Sequence, residues 1–161
     1  MKVIAYILYL FLIGLYQVIF RDITGIYGAS INLAAFIVLA VAIYKSELAA
    51  AWFGFAAGVV LAAGNPPLMG WQALALALLG VFAYNVKERL NLESLYAKIL
   101  LIFGGVLLHN VVTLLIDGGD AFLYRLVSES LTGAVYTSAL AIVFFLFKEE
   151  VVTPAKVKSV F

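Results

Sequence analysis

The sequence predicts an all-α integral membrane protein with six transmembrane helices, and three observations carry that expectation. First, 66% of the 161 residues are hydrophobic and only 12% are charged, and the mean hydropathy is +1.14. A soluble domain carries roughly 25% charged residues, and a chain this small buries only about two thirds of its surface on folding. A soluble monomer is excluded. Second, the charges fall between long apolar runs rather than inside them. Third, the runs are apolar on every face and rich in strong helix formers, as in Ala73-Leu74-Ala75-Leu76-Ala77-Leu78-Leu79. Barrel strands would instead alternate apolar and polar residues.

A transmembrane helix needs about 20 apolar residues, and the runs can be taken in order. Val3 to Phe20 is the first, between Lys2 and Arg21. Ile23 to Tyr44 holds the second span, at about 26–44. Leu48 to Val86 is 39 residues without a charge, enough for two crossings. The dyad Pro66-Pro67 after Gly64-Asn65 removes two backbone donors, so a hairpin turn is expected there, between spans at about 48–63 and 69–86. The fifth and sixth spans are expected at about 99–116 and 130–147. Residues 1–161 are thus expected to form one membrane domain, with 148–161 as a tail and no soluble catalytic domain among them.

Six spans put eight of the ten basic residues on the side of the N-terminus and leave Arg21 and Arg125 on the other. Basic residues gather on the cytoplasmic side. Both termini are therefore expected in the cytoplasm. The first run ends at Phe20-Arg21-Asp22 without a small-x-small cleavage site, so it reads as a retained span. The segments Lys87 to Lys98 and Ala121 to Ser130 read either as short amphipathic helices lying in the interface or as helices extending out of the membrane.

Little in the spans suggests reaction chemistry. There is no Cys, all nine acidic residues lie at span ends or in loops, and His109 is the single histidine. Neither an enzyme nor a cofactor is expected, and a net charge of +1 gives no reason to expect nucleic acid. Gln72, His109, Asn110 and Thr113 are the candidate polar contacts, with Gly105, His109 and Thr113 on one helix face. They read as bonds between neighbouring helices or as contacts to a ligand or proton. Ala50, Gly54, Gly58 and Ala62 recur every four residues and form a ridge of small side chains. Such a ridge lets another backbone approach closely, either within the bundle or from a partner. Whether copies of the chain associate is left open.

One stretch is similar to a known family. The run Gly54-Phe55-Ala56-Ala57-Gly58-Val59, a short break, and then Gly70, Ala73-Leu74, Tyr84 and Arg89 resemble the third and fourth spans of the rod-shape-determining protein MreD family. The chain departs from that pattern at Ala62, where members often carry an acid, and in Ile26-Tyr27-Gly28-Ala29, where a proline is common. The resemblance implies a non-catalytic scaffold of the elongation machinery. It would dock partner transmembrane helices, namely MreC and through it the peptidoglycan synthases, in the lipid bilayer, to maintain rod shape. It also implies a fold similar to the substrate-binding subunits of energy-coupling-factor vitamin transporters. The alternative function follows from that likeness: uptake of a small molecule through a pocket near the outer face, with Trp71, Gln72, His109, Asn110 and Asp117 as polar contacts.

Overall fold

The computed structural model describes residues 2–25, 29–90, 92, 94–118 and 121–149. Among these residues the regular structure is helical throughout, in six helices that run alternately up and down. Helix α1 covers residues 2–24, with a π turn at Tyr16–Phe20. It is followed by α2 (Leu33–Tyr44), α3 (Glu47–Leu61), α4 (Pro66–Leu90) and α5 (Leu95–Asp117). Helix α6 (Phe122–Lys148) contains a second π turn at Leu126–Leu131. Four of the six are long and apolar enough to cross a membrane: Val3–Phe20, Pro66–Leu90, Leu95–Asp117 and Phe122–Lys148.

The other two differ from the lengths expected of spans. At about 1.5 Å per residue, the 12 residues of α2 reach about 18 Å and the 15 of α3 about 22 Å. A hydrocarbon core is about 30 Å thick. Helix α2 starts at Leu33 rather than near residue 26, because Asn32 caps it by accepting from the Ala35 amide at 3.0 Å. The residues expected to begin that span, 26–28, lie outside the described residues. The turn expected at the double proline sits one step earlier, at residues 62–65, and Pro66 opens α4. Proline suits a first helical position, where its missing donor would be unpaired in any case. The charged connections are helix extensions: 87–90 continue α4, 95–98 open α5, and 122–131 lead into α6. Of the expected tail, only Lys148 and Glu149 fall within the described residues.

Burial explains why the shortest helix is stable. Nine of the twelve residues of α2 are buried, as expected of a helix that is apolar all round and surrounded by protein. Phe36 meets Phe144 edge to face at 5.5 Å, and Tyr44 meets Phe145 at 6.3 Å. Helix α1 is the opposite case, with Ile13 alone buried in Val3–Phe20. Tyr6 and Tyr9 rest against Phe53 of α3.

The tightest contact is between α3 and α4. A Cβ on Gly54 would stand 2.4 Å from the Leu76 carbonyl oxygen, and one on Gly58 would stand 2.3 Å from that of Gln72. From the other side, a Cβ on Gly80 would lie 2.7 Å from the Ala50 oxygen. The ridge of Ala50, Gly54 and Gly58 therefore faces inward and seats α4 backbone against backbone. Ala62 caps α3 and is buried as well.

The end bearing Lys45 and Lys87 is fastened by polar contacts. Lys98 pairs with Glu149, joining the start of α5 to the end of α6. Asn85 donates to Glu47 at 3.2 Å, and Lys148 sits over the Tyr44 ring at 5.7 Å.

Candidate functional site

At the opposite end, the one bearing Arg21 and Arg125, a cavity of about 1150 Å³ opens between α1 and the remaining helices. Several surrounding elements depart from regular helix there, while α5 stays regular. The π turn of α1 and that of α6 both border it, the chain enters α2 through non-helical residues 29–32, and the α3–α4 turn closes another side. π turns occur often at functional sites.

Its polar wall centres on Asn32. The Ala35 amide can only donate, so it identifies the Asn32 side-chain atom that it meets as the oxygen. The Asn32 amide nitrogen then donates to Asn110 Oδ1 at 2.7 Å and to His109 Nδ1 at 3.0 Å. With Nδ1 accepting, the His109 ring is the Nε2–H tautomer, and Nε2 donates to Gln72 Oε1 at 3.2 Å. Gln72 Nε2 faces Thr113 Oγ1 at 3.5 Å. Asn110 Nδ2 donates to the Ser130 carbonyl at 3.2 Å, and the Asn32 backbone N–H donates to Thr137 Oγ1 at 3.0 Å. The network thus links α2, α4, α5 and α6. Among the described residues, no buried side-chain nitrogen or oxygen lacks a partner.

At the mouth, Arg125 donates to Asp117 at 2.8 Å and, through Nε, to Glu129 at 3.0 Å. All three line the cavity, as does Arg21. Much of the remaining lining is apolar, including Ile7, Leu10 and Phe11 of α1 and Val60 and Leu61 of α3.

The structure brings Gln72, His109, Asn110 and Thr113 together on one wall, so the four candidate polar contacts form a single site. The face of Gly105, His109 and Thr113 turns inward: Gly105 abuts Leu39 of α2, and the other two meet Gln72. Asp117 lies at the rim, whereas Trp71 is exposed and outside the lining. Asn32, the hub, was not singled out by sequence. The available signal was an asparagine inside an apolar run, directly before a helical pattern, where it serves as both cap and bundle contact. Sequence places Glu129 in a connecting segment and Arg125 there and among the far-side basic residues, without pairing them; their spacing of four residues is the signal for the pair.

Both ring nitrogens of His109 are committed to amide partners, which makes the ring a link in a neutral network suited to hydrogen bonding. Among the described residues, no group of three His, Cys, Asp or Glu side chains is placed to hold a metal ion. Ala62, which stands where the resembled family often carries an acid, lines the cavity. No family model, curated protein or solved structure matches this chain.

Proposed function

We propose that this chain is a non-catalytic scaffold of the bacterial cell elongation machinery, as in the MreD family that it resembles. It sits in the inner membrane with six spans and both termini cytoplasmic. It docks partner transmembrane helices, MreC first and through it the peptidoglycan synthases, and so helps to maintain rod shape.

The observation that carries the proposal is the α3–α4 hairpin. Gly54, Gly58, Gly70, Ala73, Leu74, Tyr84 and Arg89, which carry the resemblance, all fall on these two helices. Gly54 and Gly58 are the positions where only a hydrogen fits against α4. The resemblance thus rests on residues that build one rigid unit. Since this unit consumes the small ridge internally, partner helices meet other surfaces. The outward side chains of the same hairpin, Trp52, Phe55, Leu74 and Leu78, and the exposed length of α1 offer apolar area for them.

Six crossings agree with the two short helices. Irregular backbone is tolerated at membrane depth where it lines a cavity or is covered by protein. The non-helical residues before α2 and after α3 meet that condition at the cavity. The eight-to-two split of basic residues sets the orientation. Depletion in the native cell is expected to convert rods to rounded cells. Rod shape and sidewall synthesis that survive depletion would contradict the proposal.

The cavity favours a second reading, a substrate-binding membrane subunit of an energy-coupling-factor type vitamin transporter. A pocket with a few convergent polar groups is what small ligands require. Calorimetric titration of the purified protein with vitamins tests it: saturable heat is expected, and no heat across the set would count against it.

A further inference from the structure

We propose that the cavity is a lipid site, holding one amphiphile taken from the surrounding bilayer. Its acyl chain lies along α1, and its ester or hydroxyl groups meet the polar wall of Gln72, His109, Asn110 and Thr113. The inference rests on the membrane-spanning reading; it is compatible with a scaffold and competes with uptake of a vitamin through the same cavity.

Size is the first argument. Pockets for drug-sized ligands measure about 300–1000 Å³, and this one measures about 1150 Å³. The lining runs along α1 from Ile7 to Arg21, which at about 1.5 Å per residue is about 21 Å of helix. That is the reach of an extended chain rather than of a compact solute.

The order of chemistry along the cavity is the second argument. Leu10, half-buried, and the exposed Ile7 and Phe11 form its apolar part, the neutral amides and imidazole form its middle, and Arg21 and Arg125 stand at the mouth. The same sequence of apolar, neutral polar and charged zones is found from the middle of a bilayer to its surface. A water-soluble molecule seated on the polar wall would leave the apolar part unfilled. An amphiphile covers both.

The third argument concerns access. On one side the cavity is closed only by α1, a helix with Ile13 as its single buried residue in Val3–Phe20. That wall is one helix thick and stands at the edge of the bundle. Its π turn at Tyr16–Phe20 interrupts regular helix beside the mouth. A lipid chain therefore reaches the cavity sideways, without crossing water.

The test uses the full chain in phosphatidylcholine vesicles doped with a phosphatidylcholine that carries a photoactivated diazirine on its tail, followed by peptide mapping. Bulk lipid labels the outward residues Ile4 and Leu8 in any case. The lipid site is shown by additional label on the wall at residues 72 and 109–113, and by a one-to-one lipid adduct in native mass spectrometry. Leu10→Trp fills the apolar part; it is expected to cut the wall label about tenfold, which corresponds to about 1.4 kcal/mol, and to leave the Ile4 and Leu8 label unchanged. The wild-type map alone decides the matter if that variant does not fold. Label confined to the outward residues with no retained lipid would overturn the proposal, as would wall label indifferent to Leu10→Trp. Saturable vitamin binding to a lipid-free protein would also overturn it. Wall label without vitamin binding would support it while removing the uptake reading.

Discussion

Two parts of this molecule are built on opposite principles. Along α3 and α4 the contact is dry and nearly free of side chains, and Gly54, Gly58 and Gly80 bring backbones together. At the Arg21–Arg125 end the helices stand apart, and polar side chains bridge the gap around a cavity. Lipid is as apolar as leucine, so helices in a membrane associate through close packing or through hydrogen bonds. This chain uses the first to make a rigid hairpin and the second to keep a space open. A single bundle can therefore combine a fixed body with an adaptable site.

The largest expected effect breaks the dry half. Gly58→Val places a branched side chain where even a Cβ would stand 2.3 Å from a backbone oxygen. Neither helix can retreat without opening the hairpin. Overpacking typically costs about 1–3 kcal/mol, and here a loss at or above the top of that range is expected. Thermal unfolding in detergent measures it, and an unchanged midpoint would show that the helices do not pack as described.

The next change breaks the wet half. Asn32→Leu strands His109 Nδ1, Asn110 Oδ1 and the Ala35 amide in one step. Each buried group left unpaired costs about 1–3 kcal/mol unless water enters. A loss of about 2–3 kcal/mol is expected, smaller than for Gly58→Val because the neighbouring cavity admits water. Unfolding of the two variants side by side checks the order.

Smaller effects sharpen the contrast. Arg125→Ala removes ion pairs whose side chains are 25% to 47% exposed. Such pairs contribute about 0–1 kcal/mol, so its midpoint is expected to move little. Gly104→Ala should be neutral or stabilising by up to about 1 kcal/mol, since a Cβ there meets nothing within 4 Å. The adjacent Gly105 abuts Leu39, where a Cβ would come within 2.8 Å, and Gly105→Ala is expected to destabilise. A pair of neighbouring glycines with opposite responses would locate the packed face of α5.

What could be read in advance follows the same division. The hairpin was legible because a period of four in small residues is a local pattern, and Ala50, Gly54 and Gly58 show it without any knowledge of the partner. The inward face of His109 was legible for the same reason. The hub at Asn32 was not, because its partners lie 77, 78 and 105 residues away and no local pattern points to them. Helix length misled at α2, where an apolar run long enough to cross holds a shorter helix, whereas α3 lies within two residues of the expected 48–63. Hydropathy counts residues whether or not they are helical, and Asn32 stops α2 by capping it. The π turns carry no composition signal, so the cavity that they border was visible only as a set of polar residues.

The central claim, that this chain serves as a membrane scaffold for cell elongation, is tested most directly by affinity capture of the tagged protein from detergent-solubilised native membranes, with the partners identified by mass spectrometry. Enrichment of MreC and the elongation synthases, retained in Asn32→Leu and lost in Gly58→Val, is the expected result. An ATPase module in their place, or no rod-system protein at all, would contradict it.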